Sequence, residues 1–212
     1  MIKDVVIIGS NGFSKDVLAL LEDNNEAAPQ WNILGFIDMP SKEEPVSGYG
    51  IIGDDEWLMN YPHPISAVCG LGQPALRRKV LAKYHRAGNV SFPSVISSHA
   101  LGVKHACFGA GCVVCAGSIL APNVQLSDFV SINLACTIGH DTRIGEYVMI
   151  NPGSNISGNV HIGCDCEIGT GAKIIQGLRI GDQSIIGAGS VIIRDVPGHC
   201  TVVGNPGRIL EK

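Results

Sequence analysis

Between Phe108 and Ile192 every sixth residue is apolar, and the last eleven of these fifteen positions are all isoleucine. The series begins Phe108, Val114, Leu120, Leu126, Ile132 and continues by sixes to Ile192. A helix repeats every ~3.6 residues and a strand every ~2, so neither asks for one large aliphatic in six. A fixed internal period marks a stacked repeat, in which each unit buries its apolar side chain against its neighbours. Four residues after each aliphatic the side chain is small or β-branched (Cys112, Ser118, Val124, Val130, Cys136, Thr142, Val148, Ser154, Val160, Cys166, Ala172). Both positions are expected to point inward and fill a narrow prism. Cys112, Cys136 and Cys166 are then small core residues. Glycine often follows the aliphatic (Gly139, Gly145, Gly163, Gly169, Gly181, Gly187), which fits a recurrent bend.

Composition agrees with such a core. Aromatics are 5% of the 212 residues while glycine is present 27 times, so aliphatics must fill the interior of a chain that turns often. The net charge of −4, with no basic run, leaves no electrostatic footprint for nucleic acid. No apolar stretch approaches the ~18 residues of a membrane span, so no membrane insertion is expected. The opening apolar run is too short for a signal peptide, which points to a cytoplasmic protein with reduced cysteines.

The repeat closely resembles the left-handed parallel β-helix of the hexapeptide-repeat acyltransferases. That resemblance implies three six-residue units per triangular coil, residues 18 apart stacked, and about five coils between Phe108 and Val196. The left hand comes from the resemblance, since the general crossover rule gives a right hand. Cys112 and Cys166 would lie three coils apart, roughly 14 Å at about 4.8 Å per strand. Cys112 with Cys115 and Cys164 with Cys166 therefore cannot close one tetrahedral zinc site, and no metal is expected.

Residues 1–92 read differently. Lys3 to Ile8 is a buried strand, followed by the turn Gly9-Ser10-Asn11-Gly12 and an amphipathic segment from Phe13 to Glu22. A second strand over 33–37 ends at Asp38, and a third over 66–69 leads through Gly70-Leu71-Gly72 to a helix from Pro74 to about Ala87. This is a small Rossmann-like α/β (βαβ) unit. A strand, a Gly turn and a helix can cradle a phosphate at the helix N-terminus, although with two glycines a plain tight turn fits equally. An acid ending the second strand can bond a ribose or base.

Gly-Ser-Asn-Gly-Phe at 9–13, Gly-Phe-Ile-Asp at 35–38 and a repeat ending Asp195-Val196-Pro197 before Gly204-Asn205-Pro206 occur in that order. Over the whole chain this resembles the sugar O-/N-acetyltransferase family, which includes the bacillosamine-pathway UDP-4-amino-sugar N-acetyltransferase and the sialic acid O-acetyltransferase. The resemblance implies a nucleotide-sugar-binding domain (1–92), a β-helix acyltransferase domain with a short tail (93–212), acetyl-CoA as cosubstrate and a homotrimer. It places Gly9, Ser10, Asn11, Gly12, Phe13, Asp38 and Asn151 at a UDP-linked 4-amino-6-deoxy sugar.

Acetyl transfer needs a base for the attacking group and hydrogen-bond donors for the developing oxyanion. Among seven histidines His140 stands out, because it sits in the repeat with Asp141 beside it to orient the ring. From the residues alone it reads as a solvated side chain. The resemblance makes His140 the general base, partnered by Asp141, with Asn133 in the active site and the Gly158 N–H facing the thioester carbonyl. It also puts Gly158, Thr170 and Ala188 along CoA, whose phosphate end Arg208 in the tail could reach. Two positions depart from the family: Phe13 and Met149 stand where it often has histidine. His161, read as bordering a coil turn, and the remaining histidines (His63, His85, His99, His105, His199) are read as surface. No two histidines are five apart, which argues against the zinc carbonic anhydrases that share the fold. Two other functions fit the same residues: O-acetylation of a sialic acid or another surface-glycan sugar, and a non-catalytic sugar-nucleotide scaffold.

Overall fold

The computed structural model describes residues 2–39 and 48–211, without the side chains of His85 and Arg86. The first unit is a parallel sheet flanked by helices. Its elements are β1 (Lys3–Ile8), α1 (Phe13–Ala27), β2 (Trp31–Ile37), β3 (Ile51–Gly53), α2 (Asp55–Met59), β4 (Ile65–Cys69), α3 (Pro74–Leu81) and β5 (Val90–Ser91), in the order β3-β2-β1-β4-β5. Val5 to Ile8 and all of β4 are buried, as expected of strands covered on both faces. The short elements β3, α2 and β5 were not foreseen, being too brief to impose a period. Helix α1 runs five residues past its expected end because its polar tail is bonded. Asn25 holds the Trp31 backbone through both N–H and carbonyl, while Asn24 donates to Ile96 O and accepts from Ser98 N. Helix α3 is shorter than expected and tightens into a 3-10 turn over Ala82–Arg86. The surface reading of His85 lies outside the described side chains.

The rest is a triangular parallel β-helix. Fifteen two-residue strands run from Cys107–Phe108 to Val191–Ile192 and divide, every third strand together, among three sheets. The first face carries Val113–Val114, Ser131–Ile132, Met149–Ile150, Glu167–Ile168 and Ile185–Ile186, extended below by Val95–Ile96 and above by Thr201–Val203 and Arg208–Ile209. The second carries Ile119–Leu120, Thr137–Ile138, Asn155–Ile156, Lys173–Ile174 and Val191–Ile192. The third carries Cys107–Phe108, Gln125–Leu126, Arg143–Ile144, His161–Ile162 and Arg179–Ile180. Partners are 18 apart, as in Ile132↔Ile150 and Ile138↔Ile156, so the strands make five coils. The repeating aliphatics and the small residues four positions on form one buried core. The small polar ones also stitch coils together: Ser118 Oγ, Cys136 Sγ and Ser154 Oγ donate to the carbonyls of Asn133, Asn151 and Gly169, each fifteen residues on.

The glycines after the aliphatics do not make the bend. At each turn the left-handed residue comes two positions later, as at Asp141 (φ 59), Tyr147 (φ 60) and Asp165 (φ 56). A Cβ on Gly139 would instead fall 2.3 Å from Gly158 N, and one on Gly181 2.3 Å from Gly198 N. Close approach of the next coil selects glycine there.

The α/β unit packs on the first face and on the edge it shares with the third. Phe13, Val17, Leu18, Leu20 and Leu21 of α1 bury against Val95, Val113, Cys115 and Met149. On the shared edge Phe129 and Tyr147, both at positive φ, stack at 5.1 Å. The Arg78 guanidinium lies 4.1 Å over Tyr147 and pairs with Asp165 at 2.8 Å, and buried Arg77 donates to Phe129 O. A left-handed aromatic is costly, and burial of both rings with cation–π contact offsets it.

All eight cysteines are free thiols. Burial pushes the Cys115 thiol up to about 12 and the Cys166 thiol up to about 11. Alkylation of native protein near pH 8 is therefore expected at exposed Cys107 first, then at half-buried Cys164 and Cys200. Peptide mass mapping should find the other five modified only after denaturation; early labelling of Cys136 would contradict the packed prism.

Candidate active site

His140 occupies a turn on the edge between the second and third faces. Its ring is 66% exposed and Asp141 is 52% exposed, so neither belongs to the core. Nδ1 of His140 lies 2.8 Å from Asp141 Oδ2. A carboxylate only accepts, so the proton sits on Nδ1 and the Nε2 lone pair faces outward. The other Asp141 oxygen accepts from Asn123 Nδ2 at 3.0 Å. Bonds from His140 and then Asn123 hold the Asp141 carboxyl below its usual range. Asn123 was missed in the sequence, yet it stands 18 residues before Asp141, so stacking arithmetic alone could have found it.

Gly158, one coil above, touches this ring. A Cβ there would fall 2.5 Å from His140 Nε2 and 2.7 Å from Cε1. The Asn159 N–H bonds His140 O at 2.7 Å, which fixes the two turns against each other. The geometry pairs an oriented imidazole with a glycine backbone beside its lone pair, the set that proton removal from an attacking nucleophile requires.

The other expected residues lie on a different edge. Asn133, Asn151, Thr170 and Ala188 belong to turns between the first and second faces, which rise one above another. Asn133 is buried, accepts from Leu134 N at 2.7 Å and bonds the side chain of Asp16 on α1. Burial raises the Asp16 carboxyl, and the Asn133 bond opposes that rise. Asp16 left no signal in the sequence because its role depends on how the two units dock. Asn151 bonds Glu167 Oε1 at 3.4 Å. Phe13, expected at the sugar, instead packs in the same buried apolar cluster as Met149. The two positions that lack the family histidine thus join one hydrophobic seam. His161 borders a coil turn as the first residue of the strand His161–Ile162, where it is half-buried.

In the α/β unit the chain order reverses around β1, the crevice where open parallel sheets bind ligands beyond their strand ends. Gly9 is left-handed (φ 94), and a Cβ would meet Leu71 Cδ2 at 2.8 Å. Asp38 Oδ2 accepts from Ser10 N at 2.9 Å and Ser10 Oγ at 2.7 Å. The acid therefore shapes the Gly9–Gly12 turn, which opens α1 with Gly12 as N-cap and no side-chain cap. Within one chain this crevice belongs to the first face, and His140 lies on the edge opposite that face. Among the described residues no His, Cys, Asp and Glu group converges on a metal position, and no helix is long and apolar enough to cross a membrane.

A parallel β-helix with an oriented histidine on one edge and an α/β unit on the opposite side defines a hexapeptide-repeat acyltransferase. The PglD N-terminal domain model matches residues 4–84, and the bacterial transferase hexapeptide model (six repeats) matches 159–194. The acetyltransferase domain of PglB from Neisseria gonorrhoeae is 31% identical, covering 98% of this chain and 100% of that one, with a TM-score of 0.88. PerB from Caulobacter crescentus, solved with CoA and GDP-perosamine, is 28% identical over 100% and 99% of the two chains (TM-score 0.88). WeeI from Acinetobacter baumannii is 29% identical over 98% and 100% (TM-score 0.87). A comparison with curated proteins gives no match. The chain belongs to the left-handed β-helix sugar acetyltransferases with a PglD-type N-terminal domain.

Proposed function

We propose that this protein transfers the acetyl group of acetyl-CoA to the amine of a nucleotide-linked amino sugar, with His140 as general base. The observation that carries the reading is the His140–Asp141 pair, exposed on an edge with Gly158 against its ring. The neutral amine attacks the thioester carbonyl while His140 Nε2 takes its proton. The carbon–sulfur bond then breaks and the thiolate leaves as CoA. Asp141 steadies the imidazolium that forms, and the Gly158 N–H serves the carbonyl oxygen. The turn Gly9–Gly12 with Asp38 holds the sugar nucleotide, in keeping with the GDP-perosamine and CoA bound to PerB. UDP is the nucleotide that the family resemblance implies, and the GDP-perosamine bound to PerB makes GDP the first alternative.

The two groups of site residues lie on different edges of one prism, which calls for a second copy. The second face exposes Leu101 and Ile119, with Leu134 on its first edge, an apolar surface suited to other copies. A trimer closing around this face brings His140 of one subunit to the Asn133, Thr170 and Ala188 edge of the next. The eight free thiols suit a reducing, cytoplasmic setting.

The test is release of free CoA thiol from acetyl-CoA in the presence of UDP- and GDP-linked amino sugars and free sialic acids. Turnover with an amino sugar and none with the hydroxyl acceptors is the expected result. Turnover with the hydroxyl acceptors alone would move the protein to O-acetylation, and none with any acceptor would leave a binding scaffold.

A further inference from the structure

The third face presents a basic stripe that the proposed chemistry does not use. Its outward positions are Gln125, Arg143, His161 and Arg179, in direct register on successive strands. The spacing is about 4.8 Å, so two guanidiniums flank one imidazole within roughly 10 Å. Among the described residues neither Arg143 nor Arg179 forms a side-chain ion pair, unlike Arg78 and Lys83. The nearby carboxylates have other work: Asp195 accepts from the Arg179 backbone N–H and Asp182 from Cys164 N. Arg143 and Arg179 stand two strands apart with the His161 ring between them, and neither guanidinium is held by a carboxylate among the described residues.

The stripe also lines a groove of about 500 Å³, bounded on the far side by Gly145, Gly163 and Gly181. That volume suits a ligand rather than a surface ion pair. His140 and Gly158 do not line the groove themselves, but the strands of Arg143 and His161 leave the turns of His140 and Gly158 three residues on and carry the chain onto this face. A ligand whose reactive end rests at His140 and Gly158 can lay an anionic tail up this face.

We propose that Arg143, His161 and Arg179 form a phosphate-binding stripe that holds the phosphate groups of the acyl donor. The assignment to the donor rests on the acetyl-CoA reading above; the stripe as an anion site does not. Planar guanidiniums suit bidentate phosphate contacts, and the backbone ladder fixes their spacing.

The experiment uses the full chain and calorimetric titration with pyrophosphate, CoA and a nucleoside diphosphate, at low and high salt. The variant is Arg143→Gln with Arg179→Gln, and Lys104→Gln, exposed at the base of the prism, controls for lost charge. Pyrophosphate and CoA are expected to bind roughly tenfold more weakly to the double variant at low salt. The difference should shrink at high salt as screening grows. KM for acetyl-CoA should rise alike while kcat at saturation holds. Weaker nucleoside diphosphate binding with CoA unchanged would keep the stripe and give it to the acceptor. Dependence of pyrophosphate binding on the two arginines, in a protein that transfers no acetyl group, would uphold the stripe and sink the enzymatic reading. Equal affinity of variant and parent for all three ligands would overturn the proposal.

Discussion

Replacing His140 with Ala is expected to lower kcat about 10²- to 10⁴-fold, the usual contribution of a positioned general base. The fold should be untouched. The ring is 66% exposed and packs on no core residue, so folding stability should change by no more than a surface substitution, about 0.5 kcal/mol. Asp141→Asn should cost less, because asparagine tolerates the left-handed backbone at this turn (φ 59) and still accepts from Nδ1. What it loses is the charge that steadies the imidazolium. Steady-state thiol release across the three proteins tests the ordering: parent fastest, Asp141→Asn between, His140→Ala slowest. A His140→Ala protein with parental kcat would remove the histidine from the reaction.

Gly158→Ala is expected to cost about 10²-fold in kcat although alanine alters no charge. The Cβ would stand 2.5 Å from His140 Nε2, and the flanking turns are tied by Asn159 N to His140 O, so the ring must swing away. Displacement of a catalytic group by about 1 Å commonly carries a penalty of that size. Gly158 is not in the left-handed region, so the backbone itself accepts alanine. The melting temperature should therefore change little. A neighbouring glycine gives the contrast. A Cβ on Gly139 would meet Gly158 N at 2.3 Å, backbone against backbone, so Gly139→Ala should lose stability as well as rate. Equal turnover of Gly158→Ala and the parent would show that the ring's resting place is not its working place.

Much of this was readable from the chain because the repeat couples each residue to those eighteen away. Ile150 over Ile132 and Gly158 over His140 follow from counting, and so does Asn123 beneath Asp141. The bend glycines were misjudged because a period reveals where backbone comes close and not which φ it adopts. Counting also could not reach across the two units. Nothing in the sequence couples Asp16 to Asn133, Arg78 to Asp165 or Phe13 to the cluster of Met149, since each contact depends on docking of independently patterned segments. The separation of His140 from Asn133 needs no docking, since seven residues carry the chain past one six-residue unit and onto the next edge.

The stitching bonds that join each coil to the next have a hereditary consequence. Ser118, Cys136 and Ser154 reach only fifteen residues ahead, so a coil recognises its immediate neighbours and nothing beyond them. Gain or loss of one eighteen-residue coil above Ala172 would move the cap at 201–209 by a single strand spacing, about 4.8 Å, and leave the turn of His140 as it was. The prism is in this sense a ruler with one graduation per coil, along which descendants of the gene can refit the length of the groove without rebuilding the chemistry at its foot.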